Sequence, residues 1–179
     1  MTTKSVLDRA TTNTQLDGVS ADIGLLIIRV VFGALLAAHG TQKLFGWFWG
    51  YGMDATAGMF DGMGYNPGRF FGTLAGLSEL AGGLLLALGL LTPLAGAIVV
   101  GTMINAINAS WGPGLFGQGG WEIGLLFAVV GAGFAFTGAG RFSLDNGRPW
   151  HRQGFAVGAA AVALGVIAAV ITLIFKWVL

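Results

Sequence analysis

The hydrophobic residues of this chain fall into five long runs that are separated by short polar segments. The runs cover residues 23–45, 70–91, 94–109, 121–137 and 155–178. Crossing the hydrocarbon core of a bilayer takes about 20 mostly apolar residues in a helix. Four runs have about that length, and the third is marginal. The pattern therefore predicts an all-α fold, a polytopic bundle of about five transmembrane helices.

Composition supports a membrane protein and excludes several other classes. Of the 179 residues, 55% are hydrophobic and 9% are charged, whereas a soluble domain carries roughly 25% charged residues. The net charge is +1 without a basic block, so no nucleic-acid partner is expected. The chain has no Cys and only two His, which leaves no ligand cluster for a metal and no thiol redox motif.

The polar segments divide the chain into three parts. Residues 1–21 form a polar tail, 22–146 a four-helix membrane domain, and 147–179 a charged loop followed by an additional transmembrane helix. The tail lacks the short apolar core of a secretion signal, so the first run is read as a retained span. Within the connection 46–69, residues 54–61 are either a short amphipathic helix at the interface or a polar loop.

The distribution of basic residues predicts the orientation. Lys and Arg are enriched in cytoplasmic loops of membrane proteins. A cytoplasmic N-terminus places inside the larger set, which is Lys4, Arg9, Arg141, Arg148 and Arg152, and leaves outside Lys43, Arg69 and Lys176. Five aromatic residues then gather as a belt on the outer side, namely Trp47, Trp49, Tyr51, Trp111 and Trp121. We expect a multi-pass protein of the plasma membrane, with the lipid bilayer as its first partner.

The polar residues within the first two spans share defined helix faces. At 100° per residue, one sector of the first helix holds Arg29, Gly33, His39, Gly40 and Lys43. On the second helix, Glu79 shares its face with Gly72, Gly76 and Gly83, a pattern of small residues that favours close helix contact. Because lipid cannot hydrogen-bond polar groups, both faces are expected to turn inward and the two helices to be antiparallel neighbours.

Two interpretations of these polar residues stay open. In the first, Arg29 and Glu79 form a structural salt bridge that holds the bundle in register. In the second, a polar cavity opens toward the outer leaflet and accepts a quinone head group, protons or a small polar substrate. Its predicted lining is Glu79, Asn105, Asn108, His39 and Glu122. With Arg29 and Lys43 these form the candidate site, in which no residue is assigned a catalytic role and no metal is expected.

Three motifs together resemble the DoxX family. They are RVVFGALLAAHGTQKLFG at 29–46, ELAGGLLLALGLLT at 79–92 and GRFSLD at 140–145. The resemblance spans about residues 23–146 and implies a four-helix core, to which the fifth helix is an addition, either a docking helix or an internal cap. Residues Arg29, His39, Lys43 and Glu79 match the family's intramembrane positions.

The resemblance also implies a redox setting. DoxD-like relatives resemble the membrane subunit of a thiosulfate:quinone oxidoreductase, and mycobacterial members are linked to a membrane oxidoreductase complex with a sulfurtransferase and a superoxide dismutase. The first hypothesis is therefore a redox-associated, accessory subunit that binds a quinone and soluble redox partner proteins, with no covalent cofactor implied. The alternatives are a membrane scaffold without catalysis and a transporter of protons or a small solute. A homo-oligomer also stays open.

Overall fold

The structure is a computed structural model that describes the backbone of residues 3–178 and the burial of side chains in residues 16–178. It contains six helices: α1 (Thr3–Phe45), α2 (Gly52–Gly62), α3 (Gly68–Leu88), α4 (Thr92–Ala109), α5 (Glu122–Thr137) and α6 (Phe155–Val178). No strand occurs among these residues. The predicted all-α membrane bundle is thereby confirmed.

Four helical segments are long and apolar enough to cross a bilayer. They are Leu16–Phe45 of α1, then Gly68–Leu88, Thr92–Ala109 and Phe155–Val178. Helix α5 was also predicted to span, but its 16 residues rise only about 24 Å, less than a typical hydrocarbon thickness of about 30 Å. It completes the bundle as a shorter apolar helix packed against α4 and α6.

Two segments differ from their simplest sequence interpretation. Helix α1 begins at Thr3, so the expected polar tail of residues 1–21 is helical from there on. Residues 54–61 lie within α2, so the helical interpretation of this segment is right and the loop interpretation is wrong. Its position at a bilayer interface stays a prediction.

Glycines set the register between α1 and α3. A Cβ on Gly40 would lie 2.6 Å from the Gly76 carbonyl oxygen and 2.5 Å from the Leu80 nitrogen. A Cβ on Gly33 would likewise lie 2.6 Å from the Gly83 carbonyl oxygen. The two backbones touch at these positions because neither helix has a side chain there. The predicted contact between the glycine faces of the first two spans is therefore confirmed.

Helix α4 is the centre of the bundle, with α3, α5 and α6 packed around it. Gly101 of α4 meets the backbone of Gly165 on α6, and Gly96 of α4 meets Gly131 on α5. Leu36, Val99, Met103 and Phe127 form a buried apolar cluster between α1, α4 and α5. The additional helix α6 thus packs tightly as part of the bundle.

The bundle has two ends, which we name after buried residues. At the Asp145 end, loop 138–154 packs on the α3–α4 turn, and the Leu144 nitrogen donates to Leu88 O at 3.2 Å. At the Tyr65 end lie α2, the connection 63–67 and the last turns of α4 and α6. The side chain of Leu91 cannot cap α4, although Leu91 holds the N-cap position with φ 48°. Asp145 takes that role from the loop.

Asp145 accepts four hydrogen bonds that close this end of the bundle. Oδ1 accepts from the Leu91 nitrogen at 2.8 Å and from Trp150 Nε1 at 3.0 Å. Oδ2 accepts from the nitrogen and the hydroxyl of Thr92 at 2.9 and 2.7 Å. Burial by itself raises the pKa of Asp145, but the hydrogen bonds from Thr92, Leu91 and Trp150 together lower this pKa below its usual value.

Candidate functional site

A cavity of about 360 Å³ lies between α3, α4 and α6, beneath α2. Most of its wall is apolar and includes Phe71, Leu74, Ile98 and Ala169. We call it the main cavity. Its polar groups are few and come from five different segments: Lys43, Tyr65, Ser78, Glu79, Thr102, Asn105 and Thr172. An apolar pocket with a few convergent polar groups is the usual form of a small-molecule site.

An ion pair between Lys43 and Glu79 lies in the wall of the main cavity. Lys43 Nζ lies 2.6 Å from Glu79 Oε2 and donates a hydrogen bond to it. The Glu79 side chain is 7% exposed and that of Lys43 is 28% exposed. Lys43 comes from the last turn of α1 and Glu79 from the middle of α3, and the close approach of these helices brings the two charges together.

The interpretation in which Arg29 and Glu79 form a structural salt bridge is wrong. Arg29 is buried and donates through Nη1 to the carbonyl of Ala87 and through Nη2 to the carbonyl of Phe142. The glycine contacts explain the error, because they place Gly40 beside Gly76 and Gly33 beside Gly83. Arg29 is therefore level with the last turn of α3, where backbone carbonyls lack helical partners and attract a cation.

Tyr65 lines the main cavity at the Tyr65 end of the bundle and is a site residue that the sequence did not indicate. Its hydroxyl lies 3.2 Å from both Asn105 O and Asn108 Oδ1 and shares its one proton between these acceptors. Lys176 Nζ lies 4.2 Å from the centroid of its ring. Burial raises the pKa of Tyr65 to about 12, so the hydroxyl remains a donor at neutral pH. Tyr65 stands in a Gly, Asn and Pro connection, where no periodic pattern indicates burial.

His39 belongs to a second cavity of about 320 Å³, which we call the vestibule. It is lined by His39, Gln42, Lys43, Trp49, Gly50, Tyr51, Thr56, Met59 and Phe60. His39 Nδ1 and Gln42 Oε1 are 3.0 Å apart, and Gln42 Nε2 donates to Phe48 O at 3.1 Å. His39 also packs edge-on against Phe127, with ring centroids 6.1 Å apart.

The predicted site residues are therefore distributed over five places. Lys43, Glu79 and Asn105 line the main cavity. Asn108 Oδ1 contacts the Tyr65 hydroxyl and accepts a hydrogen bond from Lys176 Nζ at 3.1 Å. His39 lies in the vestibule. Arg29 is at the Asp145 end, and Glu122 is exposed at the start of α5. The expectation that Glu122 lines the cavity is wrong, because α5 contributes no residue to its wall.

The main cavity offers three kinds of polar contact to a ligand. The Lys43 ammonium donates, the Glu79 carboxylate accepts, and Ser78 and Thr102 can do either. No group of three His, Cys, Asp or Glu residues within the described part of the chain lies close enough to hold a metal ion. These groups suit a ligand that has a neutral or weakly charged polar head and an apolar remainder.

Comparisons with known proteins place these features in a family. The family model of DoxX matches residues 24–111. A protein of Bacillus subtilis (strain 168) named "Putative oxidoreductase CatD" is 30% identical over 126 residues, which cover 70% of this chain and 87% of that protein. No solved structure matches the chain significantly. The matched family region contains Arg29, His39, Lys43, Tyr65, Glu79 and Asn105 but ends before α5 and α6.

Proposed function

This chain belongs to the DoxX family, and we propose that it is the membrane subunit of an oxidoreductase complex and binds a quinone in the main cavity. The observation that carries the proposal is the Lys43–Glu79 ion pair in the wall of a mostly apolar cavity between spanning helices. A quinone has the matching form, since its ring carbonyls accept hydrogen bonds and its tail is hydrocarbon.

The dimensions of the main cavity fit such a ligand. A cavity of roughly 150 Å³ holds a benzene ring, so about 360 Å³ has room for a substituted ring and the beginning of its tail. Lys43 Nζ would donate to one ring oxygen. Glu79 would accept from a ring hydroxyl in the reduced form, and the Tyr65 side chain lines the same cavity. A quinone supplies two-electron redox chemistry, and the residues here bind and orient it.

Electron transfer would then involve a partner subunit. The chain has no Cys, and the hard step of a redox reaction belongs to a cofactor. The name of the Bacillus subtilis relative supports an oxidoreductase setting. We propose soluble redox proteins as the partners and an accessory role for this chain. A scaffold without a ligand is the alternative, and it is favoured by the long exposed apolar face of α6.

The proposed location is the plasma membrane with a cytoplasmic N-terminus. Arg141, Arg148 and Arg152 lie in the loop at the Asp145 end, whereas Trp47, Trp49 and Trp111 lie at the Tyr65 end. Basic loops favour the cytoplasmic side and aromatic residues favour the interface. The main cavity, near the Tyr65 end, would then face the outer leaflet.

Ligand binding by the purified protein tests the proposal. The full chain in lipid nanodiscs is titrated with a ubiquinone or menaquinone analogue, and binding is followed by quenching of intrinsic Trp fluorescence. We expect saturable binding, and Glu79→Gln should weaken binding of the reduced analogue roughly tenfold, because a hydrogen bond to a charged group contributes about 1.5–3 kcal/mol. The matched control is Glu122→Gln, which alters an exposed carboxylate outside the cavity.

Two outcomes would contradict the proposal. The first is the absence of saturable binding for both quinone types in protein that elutes as a single folded species. The second is equal weakening by Glu79→Gln and Glu122→Gln, which would place the ligand elsewhere. In either case the scaffold alternative gains support, and co-purification with a partner complex becomes its test.

A further inference from the structure

The two cavities share three lining residues, and only one of them carries a charge. Lys43, Met59 and Phe60 line both the main cavity and the vestibule. Of these three, only Lys43 carries a charge, and its ammonium is bonded to Glu79 on the main-cavity side. The ion pair is therefore a boundary between two spaces of different character.

The main cavity faces the hydrocarbon region. Its walls come from α3 and α6, and its floor is the α4 surface between them, which includes Ile98, Thr102 and Asn105. All three helices are candidate membrane spans. On the rim, Leu74 of α3 is 42% exposed and Ala168 of α6 is also exposed. A groove at this depth between spanning helices is open to acyl chains.

The vestibule faces water at the end of the bundle. It lies at the Tyr65 end, where α1 stops and the chain turns through residues 46–51 before α2 begins. Trp49 is 98% exposed and Tyr51 is 75% exposed at its edge. Its inner wall presents His39 and Gln42, and the backbone of the turn is held by Gly50 N donating to Trp47 O at 2.9 Å. Such polar, roomy spaces hold water.

We infer that the Lys43–Glu79 pair is reached through two separate entrances, the main cavity from the lipid and the vestibule from water. A lipid-soluble ligand would enter by the first and an aqueous proton by the second, so the two meet at one ion pair. This inference concerns the same site as the proposed function and rests on it only for the identity of the ligand.

This arrangement permits the transfer of one proton through the Lys43–Glu79 pair. The Lys43 ammonium passes one N–H proton to the Glu79 carboxylate, which becomes a carboxylic acid. The Lys43 amine that remains takes one proton from a hydronium ion in the vestibule, and the hydronium ion leaves as water. One proton thereby moves from water to the main cavity, and no electron moves. The other titratable groups around the pair are His39 on the vestibule side and Tyr65 on the main-cavity side.

The absence of Cys from the sequence makes a direct test simple. Gln42→Cys places the only thiol in the vestibule, and Ser78→Cys places it in the main cavity. Each full-length variant is reconstituted in lipid vesicles. It is treated with a membrane-impermeant, charged methanethiosulfonate, applied to both faces, or with a lipid-soluble maleimide. Trp49→Cys serves as the water-exposed control, and Val129→Cys, on the exposed apolar face of α5, as the lipid-exposed control.

The two entrances predict a crossed pattern. The charged reagent should modify Gln42→Cys within about tenfold of the Trp49→Cys rate, a ratio that corresponds to roughly 1.4 kcal/mol of protection. It should leave Ser78→Cys and Val129→Cys unmodified. The maleimide should modify Ser78→Cys at a rate similar to that of Val129→Cys. Thr56→Cys and Ala75→Cys are second positions in the vestibule and main cavity, for use if a first variant fails to fold.

The outcomes separate this inference from the proposed function. Failure of the charged reagent at both vestibule positions, or of the maleimide at both main-cavity positions, would overturn the two-entrance arrangement. A quinone analogue should slow modification of Ser78→Cys but not that of Val129→Cys. If the crossed pattern appears without such protection, the entrances exist and the quinone is the wrong ligand.

Discussion

Lys43 Nζ lies 2.6 Å from Glu79 Oε2, although the two residues are 36 positions apart in the chain. The contact depends on the glycines of α1 and α3, which let the two backbones touch one turn away from the pair. Glu79 is buried, whereas Lys43 keeps a partly exposed side chain. A buried carboxylate thus has its counter-charge on a residue that also borders the vestibule.

Removing the cation of this pair should destabilise the protein more than removing both charges. Lys43→Met leaves Glu79 buried without a counter-charge, and the loss of one partner of a buried pair costs about 3–5 kcal/mol. Because Lys43 is partly exposed, we expect a value near 3 kcal/mol. The double variant Lys43→Met/Glu79→Gln should recover most of that loss. Thermal unfolding in detergent followed by Trp fluorescence measures both.

The exposed Arg69–Asp54 ion pair at 3.0 Å provides the matched control for this comparison. Both of its side chains are largely exposed, so Arg69→Met should change the free energy of unfolding by less than about 1 kcal/mol. Equal effects of Lys43→Met and Arg69→Met would show that the buried pair contributes no more to the free energy of unfolding than the exposed pair does. A double variant as unstable as Lys43→Met would mean that lost packing of the lysine stem is responsible.

The glycine contacts predict a sharp difference between two Gly→Ala changes on α1. A methyl group on Gly40 would meet backbone atoms of α3 at 2.5–2.6 Å, so the helices must separate. Overpacking of this kind costs about 1–3 kcal/mol. Gly24→Ala is the control, because no heavy atom lies within 4 Å of its added Cβ. Chemical denaturation in mixed detergent micelles compares them, and similar stabilities would contradict the close α1–α3 contact.

Asp145 predicts a pH dependence of stability with a defined sign. Its folded-state pKa lies below the usual value of 3.8, so its ionised form contributes stability above pH 4 that is lost as pH falls through the lowered pKa. Asp145→Asn should be less stable than the wild type at pH 7. Unfolding measured from pH 7 to pH 2 should show the two stabilities converging as pH falls. A constant difference across that range would contradict a role for the charge.

The orientation of the chain can be tested with reporter fusions. With a cytoplasmic N-terminus, the loop that contains Gly114 is outside and the loop that contains Arg148 is inside, because α5 runs from the Tyr65 end of the bundle to the Asp145 end. A phosphatase that is active only outside the cytoplasm should therefore be active when fused after Gly114 and inactive when fused after Arg148. A cytoplasmic fluorescent reporter provides the reciprocal control. The reverse pattern would invert the proposed placement of the vestibule and the main cavity.

Several features could be predicted from the sequence because they depend on local pattern. Apolar runs of about 20 residues indicate spanning helices wherever they occur, and the helical period alone assigns Gly33 and Gly40, or Gly76 and Gly83, to one face. The inward direction of Lys43 and Glu79 also follows, since lipid offers polar groups no partner. The additional helix at the end of the chain was found by the same pattern.

The errors concern distances between segments. Helix faces allowed Arg29 to pair with Glu79, but the vertical offset between α1 and α3 is set by where their glycines touch. Glu122 was assigned to the cavity, although α5 contributes no residue to its wall. The face of a residue is a property of one helix, whereas a contact requires the relative positions of two.

The amino-acid sequence by itself determined that the chain is a helical membrane bundle whose few charges turn inward, because hydropathy and helical period act over neighbouring residues. Only the tertiary structure decided that Lys43, and not Arg29, pairs with Glu79 and that Tyr65 and Asp145 close the two ends. The physical reason is that these contacts join residues from separate elements, and backbone contact between glycine faces, together with loops packed across the helix ends, decides which side chains meet.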